Sequence, residues 1–143
     1  MIQEDKELLI KDLCARLLYG VKLHKTYEEC DPLELRSVDI DNYKLVFYKY
    51  KGEVLTICDT DNIERFGKIK YKPYLFPISS MTDEQKKELE DALIKMNLKA
   101  LSDELNSEDI AAYEIDFYNK HHIDYRGLIV KGLAIDATGL NIY

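Results

Sequence analysis

The segment His121–Asp136, HHIDYRGLIVKGLAID, gathers two adjacent histidines, an aspartate, a tyrosine and an arginine within six residues. Histidine titrates nearest neutral pH and is the commonest metal ligand, so His121, His122 and Asp124 could hold a metal or move a proton. Arg126, ahead of Gly127, offers the planar fork that clamps a carboxylate or a phosphate. These four residues are the candidate catalytic set of a metal-dependent or His-based hydrolase. Helical geometry counts against the set, because neighbouring positions point about 100° apart and two rings meet one ion only if the helix has ended. The plainer reading puts both histidines in the last turn of a helix, where side chains meet unsatisfied carbonyls. Asp124 and Arg126 then lock the following turn, with Arg126 paired to Asp124 or to a nearby acidic helix.

Elsewhere the reactive residue types are scattered. Asp39 with Asp41, and Asp59 with Asp61, have the i, i+2 spacing that points two carboxylates to one face of a strand, as a hard cation would need. The turn preferences of Asp and Asn make CDTDN a solvated loop instead. Cys14 falls on an apolar helical stripe and reads as core, Cys58 ends a strand, and Cys30 in EECDP has acidic neighbours that raise a thiol pKa. No GxSxG, HExxH, Walker loop or GxGxxG occurs, which lowers the expectation of catalysis, and no metal or cofactor is called for.

Three cysteines without a CxxC spacing suit a reducing cytoplasm. MIQEDKELLI carries acids where a signal peptide needs basic residues, and no apolar run approaches the roughly 20 residues of a membrane helix. A cytoplasmic location and no membrane partner are therefore expected.

The net charge of −7 is unevenly placed. Residues 82–117 hold eleven acids against four lysines, so this segment carries all of it and favours a basic partner. Glu88, Asp91, Glu108 and Tyr113 are the candidate binding residues of that surface. Carboxylates along two helices could also imitate a phosphate backbone, in an acidic nucleic-acid mimic that inhibits a host defence protein. RFGKIKYKPY mixes four basic residues with Phe66, Tyr71 and Tyr74, as nucleic-acid-binding strands do. An isoelectric point near 5.0 counts against nucleic acid as a direct partner, and lysines on an edge strand also prevent aggregation.

The elements that must position these residues follow from periodicity. Residues 3–18 read as a helix with Ile10, Leu13, Cys14 and Leu17 on its apolar stripe, Lys6, Lys11 and Asp12 off it, and Gly20 as its stop. VKLHKTY, LRSVDID, YKLVFYKY, EVLTICD and IKYKPYLFPIS read as five strands, with a tight turn at Lys51–Gly52. Pro73 and Pro77 remove ladder donors and assign the fifth to a sheet edge. Thr82 and Gln85 have capping-box spacing ahead of a helix whose buried stripe is Leu89, Ala92, Leu93, Met96 and Ala100. Ser107 caps a second helix through His122, with Ile110, Tyr113, Phe117 and His121 on one face. The remainder is a turn, a short helix or strand, and a tail. Eleven tyrosines and no tryptophan favour a sheet with a half-exposed face, where hydroxyls find partners.

YKPYLFPISSMTDEQKKEL and HHIDYRGLIVKGLAID together resemble recurrent segments of a family of small proteins, without an assigned activity, from gut-bacterial genomes, prophages and other mobile elements. The resemblance spans most of the chain and implies an accessory protein acting inside the bacterial cell, with no functional residue carried over. The order of helix, strands and helices predicts a single α+β domain over 1–143, an antiparallel sheet of about five strands with its helices packed on one side. The expected function is non-enzymatic binding of a macromolecule, mainly a protein, through the acidic helices and the Tyr-rich sheet.

Overall fold

The computed structural model describes residues 2–48, 50–51, 54–55 and 59–143, with the backbone alone for Tyr50, Lys51, Val54, Leu55 and Asp59. Helix α1 (Gln3–Arg16) starts with Glu4 and Asp5 in its first turn, where carboxylates suit the positive end of the helix dipole. Its buried face runs through Leu9, Asp12, Leu13 and Arg16, at i, i+3, i+4 and i+7. Cys14 and Leu17 pack at the margin of that face. Asp12 therefore does not fall on an outer face as its charge suggested; it is wholly buried because Arg16, one turn on, neutralises it. A 3₁₀ turn over Leu17–Tyr19 leads to Gly20, whose φ of +66° ends the helix where the sequence predicts.

Strand β1 (Lys22–Lys25) pairs antiparallel with β2 (Leu33–Asp39), and β2 with β3 (Lys44–Phe47) across a bulge between Leu35 and Ser37. β4 (Tyr50–Lys51) and β5 (Val54–Leu55) form a separate antiparallel pair with Lys51 opposite Val54. The turn expected at Lys51–Gly52 includes Gly52, which lies outside the described residues. β6 (Asp59–Asn62) returns to pair with β3, and β7 (Glu64–Arg65) with β8 (Lys68–Ile69) makes a second small hairpin. β9 (Tyr71–Pro77) then pairs with β1.

The prolines mislead about β9. It is an interior strand: β1 takes its first half, and β10 (Ile123–Asp124) and β11 (Ile135–Asp136) pair parallel to its second. The seven-stranded sheet runs β10-β9-β1-β2-β3-β6, with β11 also on β9. Bonds from Thr26 N to Lys70 O, Phe76 N to His122 O and Ala137 N to Leu75 O hold the strand without calling on a proline N–H. The Gly-punctuated tail thus adds two parallel strands to an otherwise antiparallel sheet.

Helix α2 (Asp83–Leu101) has the predicted capping box: Thr82 accepts from Gln85 N, and the Gln85 side chain accepts from Thr82 N. Thr82→Ala should cost about 1 kcal/mol in a denaturation experiment, the usual loss on removing such a cap. Helix α3 (Ser107–Lys120) is capped one residue earlier than expected, by Asn106 with Asp109, because the Asn106 side chain reaches the Asp109 N–H in the first turn and so takes the role that Ser107 was assigned. It also ends two residues early, at Lys120.

The principal core lies between α1 and the sheet, where Leu9, Leu13, Val21, Leu23, Leu35, Leu45 and Leu75 are buried with Leu128 and Leu133 from the tail. A second cluster of Met81, Leu89, Phe117 and Ile123 joins α2 and α3 to the sheet. The tyrosine hydroxyls are widely employed: Tyr71 donates to Asp61, Tyr118 to Glu114, and Tyr43 accepts from Gln3. Tyr143 accepts from Lys22 N and donates to Tyr74 O, bridging β1 and β9 with its hydroxyl.

Candidate functional site

α3 ends at Lys120, His121 forms its C-cap, and His122 turns to φ +57°, the left-handed position usually taken by glycine after a helix. The two rings have different packing partners. His121 packs on Phe117, with centroids 4.5 Å apart, and its Nδ1 lies 3.4 Å from Gln85 Nε2 on α2. His122 stacks flat on Tyr143, with centroids 3.7 Å apart and planes 10° from parallel. Burial, then the neighbouring charges of Arg16, His121 and Lys22, lower the His122 pKa to about 4, so its ring is neutral at pH 7. Among the described residues, His121 Nε2 and His122 Nδ1 have no hydrogen-bond partner.

Asp124 acts as the lock of the turn, accepting from Leu128 N at 2.8 Å and Ile129 N at 2.9 Å. Arg126 goes elsewhere. Its Nε stands 3.3 Å from Asp12 Oδ1, at ion-pair distance without hydrogen-bond geometry, and its guanidinium covers the Tyr125 ring at 4.8 Å. It pairs with neither Asp124 nor the acidic helices, because the turn delivers it to α1. Asp12 thus faces two guanidiniums, Arg126 and the buried Arg16. Arg16 also donates to Ile123 O at 2.7 Å and so joins α1 to β10. Of the four catalytic candidates, Arg126 joins this charge cluster and His122 lies within reach of the Arg16 charge, while His121 and Asp124 have other neighbours. Among the described residues, no three His, Cys, Asp or Glu side chains stand where they could hold a metal.

The other chemistry-bearing types are placed apart. Asp39 accepts from Asn42, and Asp61 takes Lys70 and Tyr71; the Asp59 side chain lies outside the described residues. Cys30 is exposed, Cys14 is half-buried with its thiol pKa raised by burial, and Cys58 lies outside the described residues.

A different surface emerges on α2. Of its predicted stripe only Leu89 is fully buried; Ala92, Leu93, Met96 and Ala100 are half-buried, with Leu93 packed against the second core cluster. The opposite face carries Ile94, Leu98 and Leu101, exposed at 52%, 62% and 84%. A groove of about 370 Å³ lined by Ile78, Met81, Leu89, Leu93 and Ile94 continues into another of about 430 Å³ lined by Ile94, Leu98, Ala100 and Leu101. The result is one mainly apolar strip along the helix, with Lys86, Glu90 and Asn97 also in its lining. Glu88 and Asp91 are exposed on the same helix, and Glu108 is exposed on α3. Tyr113 instead packs in the α2–α3 seam against the second core cluster.

Nothing in the sequence-based expectations included this strip, although its signal is present in the chain. Ile94, Leu98 and Leu101 repeat at i, i+4 and i+7, a second apolar face on a helix that has already spent one on the core. No helix among the described residues is long and apolar enough to cross a membrane. No family model matches the chain, and no curated protein or solved structure is significantly similar to it.

Proposed function

We propose that this chain works without catalysis, by docking a protein partner on the outer face of α2. The observation that carries the reading is the continuous apolar strip of Ile94, Leu98 and Leu101, left uncovered on a helix whose other face is already packed. Its setting defines the partner. Glu90 and Asp91 stand one turn before Ile94, on a segment that carries the whole net negative charge, so the complementary ligand is an amphipathic helix with basic flanks. The resemblance to mobile-element proteins supports an accessory role inside a bacterial cell.

The test is capture by the full chain against capture by an Ile94→Glu, Leu98→Glu variant. Both positions are exposed, so stability should change by less than about 0.5 kcal/mol each, while the specific partner is lost. Equal capture by both proteins would remove the reading. Loss on neutralising Glu88, Asp91 and Glu108 with the apolar strip intact would favour the nucleic-acid mimic instead.

A further inference from the structure

A second surface combines basic and aromatic side chains on the β7–β8 hairpin and the strand after it. The β7–β8 hairpin has Arg65 opposite Lys68, leaving Phe66 and Gly67 as its two-residue turn. Both have positive φ, +51° and +72°, which is the turn geometry that favours Asn-Gly. A phenylalanine there gains nothing from the backbone, and at 89% exposure it gains nothing from burial. An aromatic held against both preferences marks a contact surface. Arg65 lies over its ring at 5.2 Å.

Beside this turn runs an open groove of about 450 Å³, lined by Thr26, Tyr27, Gly67, Lys68, Ile69 and Lys72. Tyr27 is half-exposed, and its hydroxyl donates to Arg65 O, which fixes one wall to the hairpin. Thr26 Oγ1 donates to Ile69 O and fixes the other end. Among the described residues neither Lys68 nor Lys72 forms an ion pair, whereas Lys70 between them is taken by Asp61, and Glu28 beyond Tyr27 is taken by Lys25. The chain's net negative charge lies wholly in residues 82–117, so an acidic isoelectric point does not describe this face.

We infer that this groove binds single-stranded nucleic acid, with phosphates on Lys68 and Lys72 and unstacked bases on the Phe66 and Tyr27 rings. Open, cationic and aromatic together is the combination that tracks a single strand. A duplex hides its base faces, and an acidic peptide has no use for an exposed ring at a strained turn.

The experiment is fluorescence anisotropy of labelled single-stranded DNA and RNA of about 20 nucleotides with the full chain, over about 25 to 200 mM salt. Binding should weaken with salt, and a matching duplex should bind more weakly. Phe66→Asn installs the preferred turn residue and so keeps the hairpin, yet it should weaken single-strand binding at least about fivefold through loss of stacking. Lys68→Gln with Lys72→Gln should lower the slope of log affinity against log salt by roughly 1.4, about 0.7 for each phosphate no longer neutralised. The inference is overturned by absence of binding at about 25 mM salt, by unchanged affinity in Phe66→Asn, by equal duplex affinity, or by polyglutamate competing as well as the oligonucleotide.

Discussion

Replacing Arg16 with methionine should destabilise the fold by about 3 to 5 kcal/mol, read as a lower urea midpoint at unchanged slope. The Asp12 and Arg16 side chains are both wholly buried, with Arg16 Nε 2.8 Å from Asp12 Oδ2 and Nη2 3.1 Å from Oδ1. Without Arg16 the carboxylate keeps only Arg126, which approaches without hydrogen-bond geometry, the Ile123 carbonyl keeps only the Tyr125 N–H, and the Tyr118 carbonyl loses its guanidinium donor. Asp12→Ala should cost at least as much, since it leaves the wholly buried Arg16 guanidinium without a carboxylate and beside a second cation, Arg126. Combining Asp12→Leu with Arg16→Met should recover much of the loss, because no wholly buried charge is left uncompensated and Arg126 still reaches solvent; the carbonyl bonds lost with Arg16, to Ile123 and Tyr118, would still cost about 1 kcal/mol. A double-mutant cycle with Asp12→Leu and Arg16→Met as its single legs should therefore show coupling of at least about 3 kcal/mol, because two singles of that size or more meet in a double that costs less than either. Single effects that simply add would mean that the two groups do not depend on each other for burial.

That pair also shows which parts of the architecture were legible. Local signals held where one residue type has one job: Gly20 stops α1, the Thr82–Gln85 box starts α2, and alternating Val, Leu and Phe mark the early strands. They failed where tertiary context decides. Asp12 read as a solvent-facing charge because hydropathy treats each residue alone, although its i, i+4 spacing to Arg16 beside Leu9 and Leu13 allowed a neutralised pair to turn inward. Pro73 and Pro77 read as edge markers because the donors they lack were assumed necessary, whereas the sheet bonds β9 through other atoms. The parallel strands β10 and β11 are two residues each and depend on partners about 50 to 60 positions away, so no local period announces them.

The candidate site was legible in a similar, partial way. The helix terminus at His121 and the Asp124 lock follow from the types of residue there, and both are present. The destination of Arg126 does not follow, because it is set by where the turn carries the chain relative to α1. The apolar strip on α2 was readable as a second period but was hidden behind the acidic composition, which drew attention to charge rather than to what the charges flank. Phe66 was visible as part of a basic aromatic segment. Its significance required the backbone, since only a positive φ and near-complete exposure separate a working ring from a buried one.

Acid should weaken this fold in a window set by His122. Its pKa lies at about 4 in the folded chain against an ordinary 6.5, because burial opposes the charged ring and Arg16, His121 and Lys22 add like charge. The unfolded chain therefore takes up a proton that the folded chain resists. Above pH 6.5 both states are neutral at this ring and it makes no difference to stability. As pH falls from 6.5 to about 4, unfolding is favoured by up to about 1.4 kcal/mol per unit, roughly 3 kcal/mol in all, and the slope levels off below that, where both states are protonated. Carboxylates lowered by their partners, such as Asp39 and Asp61, come into play nearer their own ordinary 3.8, so they do not mask the upper part of the window. His122→Asn suits the left-handed backbone and cannot titrate there, so it should lose the Tyr143 stack and start less stable. Its urea midpoint should nevertheless stay nearly flat between pH 6.5 and 4.5 while that of the parent chain falls. Parallel pH profiles for the two proteins would show that His122 is already exposed to protons in the native state, and that its stack on Tyr143 opens without unfolding.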